Sequence, residues 1–172
     1  VGSLAFMLKN QSFKPSQLLK RDQASQTAKK ANQGQASKSK QKTKVSWEKQ
    51  DEAVKVPILM YHAIHVMDPS ESDSANLIVS PDTFESHIKA LKDEGYYFLT
   101  PEEAYKVLSE NVLPNGNKKI VWLTFDDGDA DFVNAATIMK KYGAVGTNNI
   151  ITSYADKDGF LTSDKIKELE KE

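Results

Sequence analysis

Two adjacent carboxylates, Asp126 and Asp127, are the residues of this 172-residue chain best suited to chemistry. They follow the apolar run Ile-Val-Trp-Leu-Thr-Phe over residues 120–125 and precede Gly128. Two like charges this close do not ionise independently unless a cation or a hydrogen-bond donor compensates them. A divalent metal held by one carboxylate, with the other kept as a general base, is one arrangement that meets this requirement.

The run 120–125 predicts the element that positions these carboxylates. It is rich in β-branched and aromatic residues, which is typical of a strand covered on both faces in a parallel sheet. The carboxyl ends of such strands are where α/β proteins gather their functional groups. Gly128 permits a tight turn directly after the pair. The sequence therefore predicts a site at one edge of a sheet.

Other interpretations of the same residues stay open at this point. The Asp-Asp-Gly run could be a solvated turn that caps the next helix, because Asp is favoured in both roles. The acidic alternation over 127–131 has the spacing of a calcium loop, but Phe132 and Ile138 stand where that loop needs Gly and a bidentate Glu. An aspartyl phosphatase would use Asp127 as its nucleophile, but the acidic residues on either side break that pattern.

The surrounding segments alternate between strand and helix patterns. Strands are predicted over residues 56–64, 96–99 and 144–152, in addition to the run that ends at the carboxylates. Helices are predicted to start after caps at Ser80, Thr100 and Thr162 or Ser163, and a further helix is predicted over residues 131–142. Helical spacing selects an inward face for each of them: Phe84, Ile88 and Leu91; Ala104, Val107 and Leu108; Phe132, Ala136 and Met139; Ile166 and Leu169. Repeated β-α units indicate an α/β fold with a parallel sheet.

Several segments, in order, resemble the polysaccharide deacetylase family. Leu123–Gly128 with the helix that ends at Ile138–Gly143 resembles the family's first motif. Val56–His62 resembles its first strand, and Val79–Phe84 leading to Leu91–Tyr97 resembles the next helix and strand. The resemblance implies an α/β fold of the partial (β/α) barrel type over residues 55–172.

The resemblance also implies roles for the carboxylates. Asp126 matches the general base, and Asp127 matches the carboxylate that binds a divalent metal, zinc above all. In such enzymes the metal polarises an N-acetyl carbonyl and holds the attacking water. The implied substrate is an N-acetylated glycan of a cell wall or an exopolysaccharide. His62 is the candidate substrate-binding residue, lining the pocket.

The histidines of this chain depart from the family's pattern. The family's other metal ligands lie in a His-x-x-x-His segment after the helix predicted near Thr162, whereas this chain has His62, His65 and His87. His87 is expected at the surface, and joint metal binding by His62 and His65 is disfavoured because they point to opposite faces of a strand. We therefore expect an incomplete catalytic domain that is inactive as this fragment. The alternative is a catalytically silent, tethered module that binds glycan or another partner.

The chain's charge is divided between its two ends. Residues 1–55 carry twelve basic and four acidic side chains, whereas residues 56–172 carry eleven and twenty. Apolar residues are sparse and aperiodic in the basic part, so residues 9–54 are predicted to be a disordered basic linker. Residues 1–8 are apolar and are interpreted as a possible remnant of a membrane anchor, although a bilayer span needs about 20 residues.

The basic linker suggests where the protein works and what it meets. Its candidate partners are an anionic wall polymer or a membrane surface. Nucleic acid is not expected as a partner, because only Phe13 lies among the lysines to stack on a base. The chain has no cysteine, which excludes a thiolate metal site and a thiol nucleophile. We expect the extracellular face, cell-wall bound or membrane-anchored; oligomeric state stays open.

Overall fold

The computed structural model describes residues 3–7 and 44–171. Its strands are β1 (Ser3–Met7), β2 (Trp47–Lys49), β3 (Ile58–Tyr61), β4 (Tyr97–Phe98), β5 (Val112–Pro114), β6 (Ile120–Asp127) and β7 (Thr147–Ile151). Its α-helices are α1 (Pro81–Asp93), α2 (Pro101–Glu110), α3 (Phe132–Tyr142) and α4 (Ser163–Leu169), and a 3-10 helix covers Pro69–Leu77.

The predicted parallel sheet is confirmed. Its strand order is β1-β7-β6-β3, and β6 is parallel to both of its neighbours in this order. The short β4 also pairs in parallel with the first two residues of β6, whereas β1 runs antiparallel to β7. A separate antiparallel pair joins β2 to β5. The strand that carries the two carboxylates is therefore the centre of the sheet.

Helices α1, α2 and α4 begin where the sequence predicts, because the cap of each is satisfied within its first turn. Helix α3 begins after Asp131, whose side chain makes no capping hydrogen bond. Ser80 accepts the backbone N–H of Thr83 at the start of α1. Thr100 and Glu103 form a capping box at α2, in which each side chain bonds to the other residue's backbone. Thr162 accepts the backbone N–H of Lys165 at the start of α4.

The main core lies between the sheet and helices α1 and α3. Four aromatic rings meet there, with Phe125 from β6 in contact with Tyr61, Phe84 and Phe132. The predicted buried residues of α1, α2, α3 and α4 are confirmed at Phe84, Ile88, Ala104, Val107, Phe132, Ala136, Met139 and Leu169. Leu91 and Ile166 are partly buried against the same core.

The prediction that Leu108 faces inward is wrong, since it is 58% exposed. Helix α2 covers only the small second core, formed by Leu99, Ala104, Val107, Leu113 and Ile120. Ala104 and Val107 suffice to close that cluster, and the next position along the helix already turns toward solvent.

The strand predicted over 144–152 is also confirmed, as β7, and the glycine that weakened its pattern has a packing role. A Cβ on Gly146 would stand 2.9 Å from Cε2 of Phe125 and 3.0 Å from Sδ of Met139. Such contacts are shorter than the packed interior tolerates. Gly146 therefore lets β7 enter the sheet close to the aromatic core.

The fold includes residues that the sequence analysis assigned to the linker before residue 55. Residues 47–49 form β2, and Val54 packs against the second core. Asn111 fixes the segment between β2 and the second core, because its side chain accepts the Val54 N–H and donates to the Gln50 carbonyl. A strand of three residues is too short to show a hydrophobic period, which is why it was not predicted. Residues 9–43 of the predicted linker lie outside the described residues.

The N-terminal segment 3–7 pairs as β1 with β7, an arrangement that the sequence pattern did not indicate. Its interpretation as part of a membrane-anchor remnant stays a prediction. Among the helices in the described ranges, none is both long and apolar enough to cross a bilayer.

Candidate active site

Asp126 occupies the carboxyl end of β6, where the sheet still holds its regular register. It stands opposite Asn149 of β7, and their side chains meet on one face of the sheet. The Asn149 side chain donates a hydrogen bond from Nδ2 to Asp126 Oδ1 over 2.9 Å. Both residues are half-buried. One oxygen of this carboxylate is thus held, while no bond to the other is described.

Asp127 is the last residue of β6, and its backbone conformation differs from that of a regular strand. Its backbone φ is +73°, in the left-handed region, and the Gly128 N–H bonds to the Asp126 carbonyl over 3.0 Å. This i to i+2 bond closes a γ-turn centred on Asp127, a turn that is rare with a positive φ. Asp tolerates such a backbone better than most residues. The turn gives two carboxylates that are adjacent in sequence different surroundings.

Gly128 makes the turn possible. Its φ is +84°, and a Cβ there would stand 3.0 Å from Cγ2 and 3.3 Å from Cα of Ile150. The second of these atoms belongs to the backbone of β7 and cannot rotate away. The glycine is therefore required both by its conformation and by its close approach to the neighbouring strand.

Asp129 lies next along the turn, in a partly desolvated setting. Burial raises its pKa, and the negative charges of Asp131 and Asp127 raise it further. The nearby His62 and His65 oppose that rise in the pKa of Asp129. His62 directly follows β3, whose last residue, Tyr61, pairs with Phe125. The sheet therefore brings His62 to the same edge as Asp126.

His65 is held between two carboxylates. Its Nδ1 lies 2.5 Å from Asp131 Oδ2, and its Nε2 lies 3.0 Å from Glu71 Oε2. The hydrogen bond to Asp131 is the main reason that the pKa of His65 is raised, with Glu71 adding to it and partial burial opposing it. Both ring nitrogens are engaged, so His65 joins the 3-10 helix to the start of α3.

The described residues do not make a complete zinc site. Among residues 3–7 and 44–171, no group of three His, Cys, Asp or Glu side chains is placed to hold a metal ion. A catalytic zinc normally takes three protein ligands. Asp127 can supply one of them, and His65 is committed to its carboxylate partners.

The chain is similar to several known proteins. Residues 114–172 match the family model described as polysaccharide deacetylase. A Bacillus subtilis protein, YxkH, whose name places it among the polysaccharide deacetylases, is 38% identical over 72% of this chain. The structure of the Streptococcus pyogenes deacetylase PplD in complex with acetate is similar with a TM-score of 0.64, at 55% identity over 69% of this chain.

The chain belongs to the polysaccharide deacetylase family. It is also 36% identical, over 59% of its length, to a poly-β-1,6-N-acetyl-D-glucosamine N-deacetylase of Staphylococcus aureus. It spans 42% of the Bacillus subtilis relative, 34% of the Staphylococcus aureus relative and 53% of the streptococcal structure. The α/β fold predicted from the resemblance is confirmed by these neighbours.

In this deacetylase domain the structure brings the three predicted site residues to one sheet edge. Asp126 and Asp127 end β6, and His62 follows the adjacent β3. His87 is exposed, as expected, and its Nδ1 lies 3.2 Å from the Tyr61 hydroxyl. Sequence reasoning missed Asn149, which was seen only as a residue that weakens a strand. Counting the register of a parallel β6–β7 pair is the signal that could have found it.

Replacing Gly128 with Ala is expected to destabilise the domain by roughly 2 to 3 kcal/mol, because a left-handed backbone and a close contact add together. Gly95→Ala is the matched control: its φ is +77°, but its Cβ would meet nothing within 4 Å. Urea unfolding of both variants measures the difference. Equal losses of unfolding free energy in the two variants would mean that β7 shifts at little cost, and that the contact with Ile150 does not constrain the turn.

The pairing of His65 with Asp131 and Glu71 is expected to make the stability of the domain depend on pH. Because its pKa is raised on folding, the stabilisation is fully present below the unfolded value of about 6.5 and is lost as pH rises through the folded value. His65→Gln should therefore lose about 1 kcal/mol at pH 5.5, and the loss should shrink at high pH. His87→Gln is the control. If thermal unfolding shows that His65→Gln loses the same stability at every pH, the charged pairing of His65 with its two carboxylates is contradicted.

Proposed function

We propose that the full product of the gene that encodes this chain hydrolyses N-acetyl groups on a glycan of the cell wall or an exopolysaccharide. Water adds to the acetamide carbonyl carbon, the carbon–nitrogen bond breaks, and acetate and a free amino sugar result. The observation that carries this proposal is the placement of Asp126: half-buried at the carboxyl end of β6, with Oδ1 held by Asn149.

Asp126 acts as the general base and takes a proton from the attacking water. A positioned carboxylate within hydrogen-bond reach of that water is the geometry such a step requires. His62, at the same edge of the sheet, lines the pocket and contacts the sugar. The family membership, and the acetate in the streptococcal deacetylase structure, support an amide of acetic acid as the bond that is cleaved.

Asp127 is proposed as one ligand of a divalent metal, zinc by preference. When bound, such a metal stabilises the negative charge that develops on the acetyl oxygen. A role separate from that of Asp126 is supported by the left-handed backbone at Asp127, which Asp126 does not share. No group of three ligands occurs in the described residues, so we expect residues 1–172 alone to bind zinc weakly and to be inactive.

The test compares the full gene product with residues 1–172 on poly-N-acetylglucosamine, with acetate release and calorimetric zinc binding as the two measurements. We expect acetate release by the full product, its loss on chelation, and its return with added zinc. Micromolar or tighter zinc binding by residues 1–172 would contradict an incomplete site. Absence of acetate release by the zinc-loaded full product would contradict the proposed function.

A second candidate function is a tethered module that binds glycan without cleaving it. The incomplete donor set around Asp127 is the observation that favours it. This module would retain glycan affinity in the Asp126→Asn variant and release no acetate in any form. Its location, like that of the enzyme, would be the outer cell surface, where the polymer named for the Staphylococcus aureus relative is a candidate ligand. An anionic wall polymer or a membrane surface is a second proposed partner, bound by the basic N-terminal part.

A further inference from the structure

The Asn149 side chain is the described hydrogen-bond partner of the Asp126 carboxylate. The two residues occupy paired positions of β6 and β7, which places their side chains on the same face of the sheet. Nδ2 of Asn149 donates to Oδ1 of Asp126 over 2.9 Å in a half-buried setting. This contact joins residues that are 23 positions apart in the chain.

A carboxylate that removes a proton from water must present one oxygen in a fixed direction. The terminal torsion of an Asp side chain is broad, so packing of its Cβ alone does not orient the two oxygens. A single donor on Oδ1 removes that freedom and leaves Oδ2 as the acceptor. The donor here is neutral and rises from the strand next to β6, where the backbone ladder holds it.

The identity of the donor is informative. Asn is depleted in strands, because it has little β-propensity. At position 149 that disadvantage is offset by a hydrogen bond to a charged group, which is stronger than a bond between neutral groups. The next residue toward the N-terminus, Asn148, faces the opposite side and is 4% exposed, with no side-chain partner in the described part of the chain. The two asparagines therefore form a matched pair, of which only Asn149 meets the proposed base.

We propose that Asn149 is a positioning residue that orients Asp126 for proton transfer. The proposal rests on the proposed function, because the residue that Asn149 orients is the proposed general base. Asn149 itself touches neither substrate nor water in this role. A merely structural cross-strand pair would contribute roughly 0.2 to 1 kcal/mol to stability and nothing to the rate.

The kinetic test uses the full product of the encoding gene and measures kcat and KM on an N-acetylglucosamine oligomer. Asn149→Leu keeps the branching of the side chain at Cγ and removes the donor. We expect kcat to fall roughly 10- to 100-fold with KM changed less than about twofold, because misorientation of a reacting group costs rate on this scale. The matched control, Asn148→Leu, should leave kcat unchanged.

A double-mutant cycle separates positioning from general damage. If Asn149 acts through Asp126, Asn149→Leu should cause no further loss in the Asp126→Asn background, since effects of residues that act as a unit do not add. An equal loss in both backgrounds, or an unchanged kcat in Asn149→Leu, would overturn the proposal. Near-wild-type activity in Asp126→Asn would instead overturn the proposed function itself.

A second measurement needs no turnover and uses the 172-residue chain. In ¹H–¹⁵N spectra, the side-chain amide of Asn149 should shift when Asp126 is replaced by Ala, while that of Asn148 should stay in place. The same Asn149 signal in both proteins would mean that the hydrogen bond is not formed in solution, and the positioning role would be overturned whatever the enzyme's rate.

Discussion

Asp126→Asn is expected to lower the rate of acetate release by roughly two to four orders of magnitude, the usual contribution of a general base. The amide keeps the shape of the side chain but cannot accept the proton of the attacking water. Divalent metal binding should stay near normal, because the variant leaves Asp127 and its turn intact. Steady-state kinetics and calorimetry on the full gene product measure the two quantities separately.

Asp127→Asn is expected to fail differently. It keeps one oxygen but loses the anion, so metal affinity should fall, and excess metal should partly restore activity. The matched control is Asp51→Asn, at an exposed position beside the separate β2–β5 pair, which should change neither quantity. Equal metal affinity in the Asp126 and Asp127 variants would contradict the assignment of roles.

A purely structural Asp-Asp-Gly turn gives another outcome. In that case both variants would lose only about 1 kcal/mol of stability, the usual value of a capping side chain, and the rate would stay close to that of the unmodified protein. Near-wild-type activity in both variants would therefore mean that the Asp-Asp-Gly run is only a structural turn.

Phe125→Ala is expected to cost about 3 to 5 kcal/mol of unfolding free energy. Phe125 is 1% exposed, and its ring centroid lies 5.0 Å from that of Phe132, 5.5 Å from that of Tyr61 and 5.6 Å from that of Phe84. Its removal leaves a cavity at the point where α1 and α3 meet the sheet. Since small domains are stable by about 5 to 15 kcal/mol, this one change removes a large part of that margin.

Urea unfolding followed by circular dichroism measures this loss. Tyr105→Ala is the matched control, because this aromatic ring on α2 is 74% exposed, and its loss should stay within about 0.5 kcal/mol. Phe125→Leu should fall between the two, since it refills part of the cavity. A loss in Phe125→Ala no larger than that in Tyr105→Ala would mean that the aromatic cluster does not hold the sheet to its helices.

The helices were predictable because their signals are local. Ser80, Thr100 and Thr162 each bond within three residues of themselves, so the chain around each cap contains all that the cap needs. The buried faces of α1 and α3 follow from spacing for the same reason. The exposure of Leu108 and the strand β2 were not predictable, because they depend on how much surface a distant segment covers.

The two carboxylates could also be found from sequence, since an apolar strand and a following Gly mark the end of β6. What could not be found is what surrounds them. His65 meets Asp131 across 66 residues, and the periodicity of neither segment refers to the other. Joint metal binding by His62 and His65 was disfavoured from sequence because of the strand geometry. The structure adds a separate reason, since His65 is bonded to two carboxylates.

By itself, then, the sequence determined the strand and helix order, the capped helix starts, the placement of Asp126 and Asp127 at a strand end, and the family resemblance. Only the tertiary structure decided that Asn149 holds one carboxylate oxygen, and that Asp127 has a left-handed backbone at the last paired position of β6. The physical reason is one of range. Propensities and caps act over a few residues, whereas the surroundings of a site arise from strands that meet only when the sheet has formed.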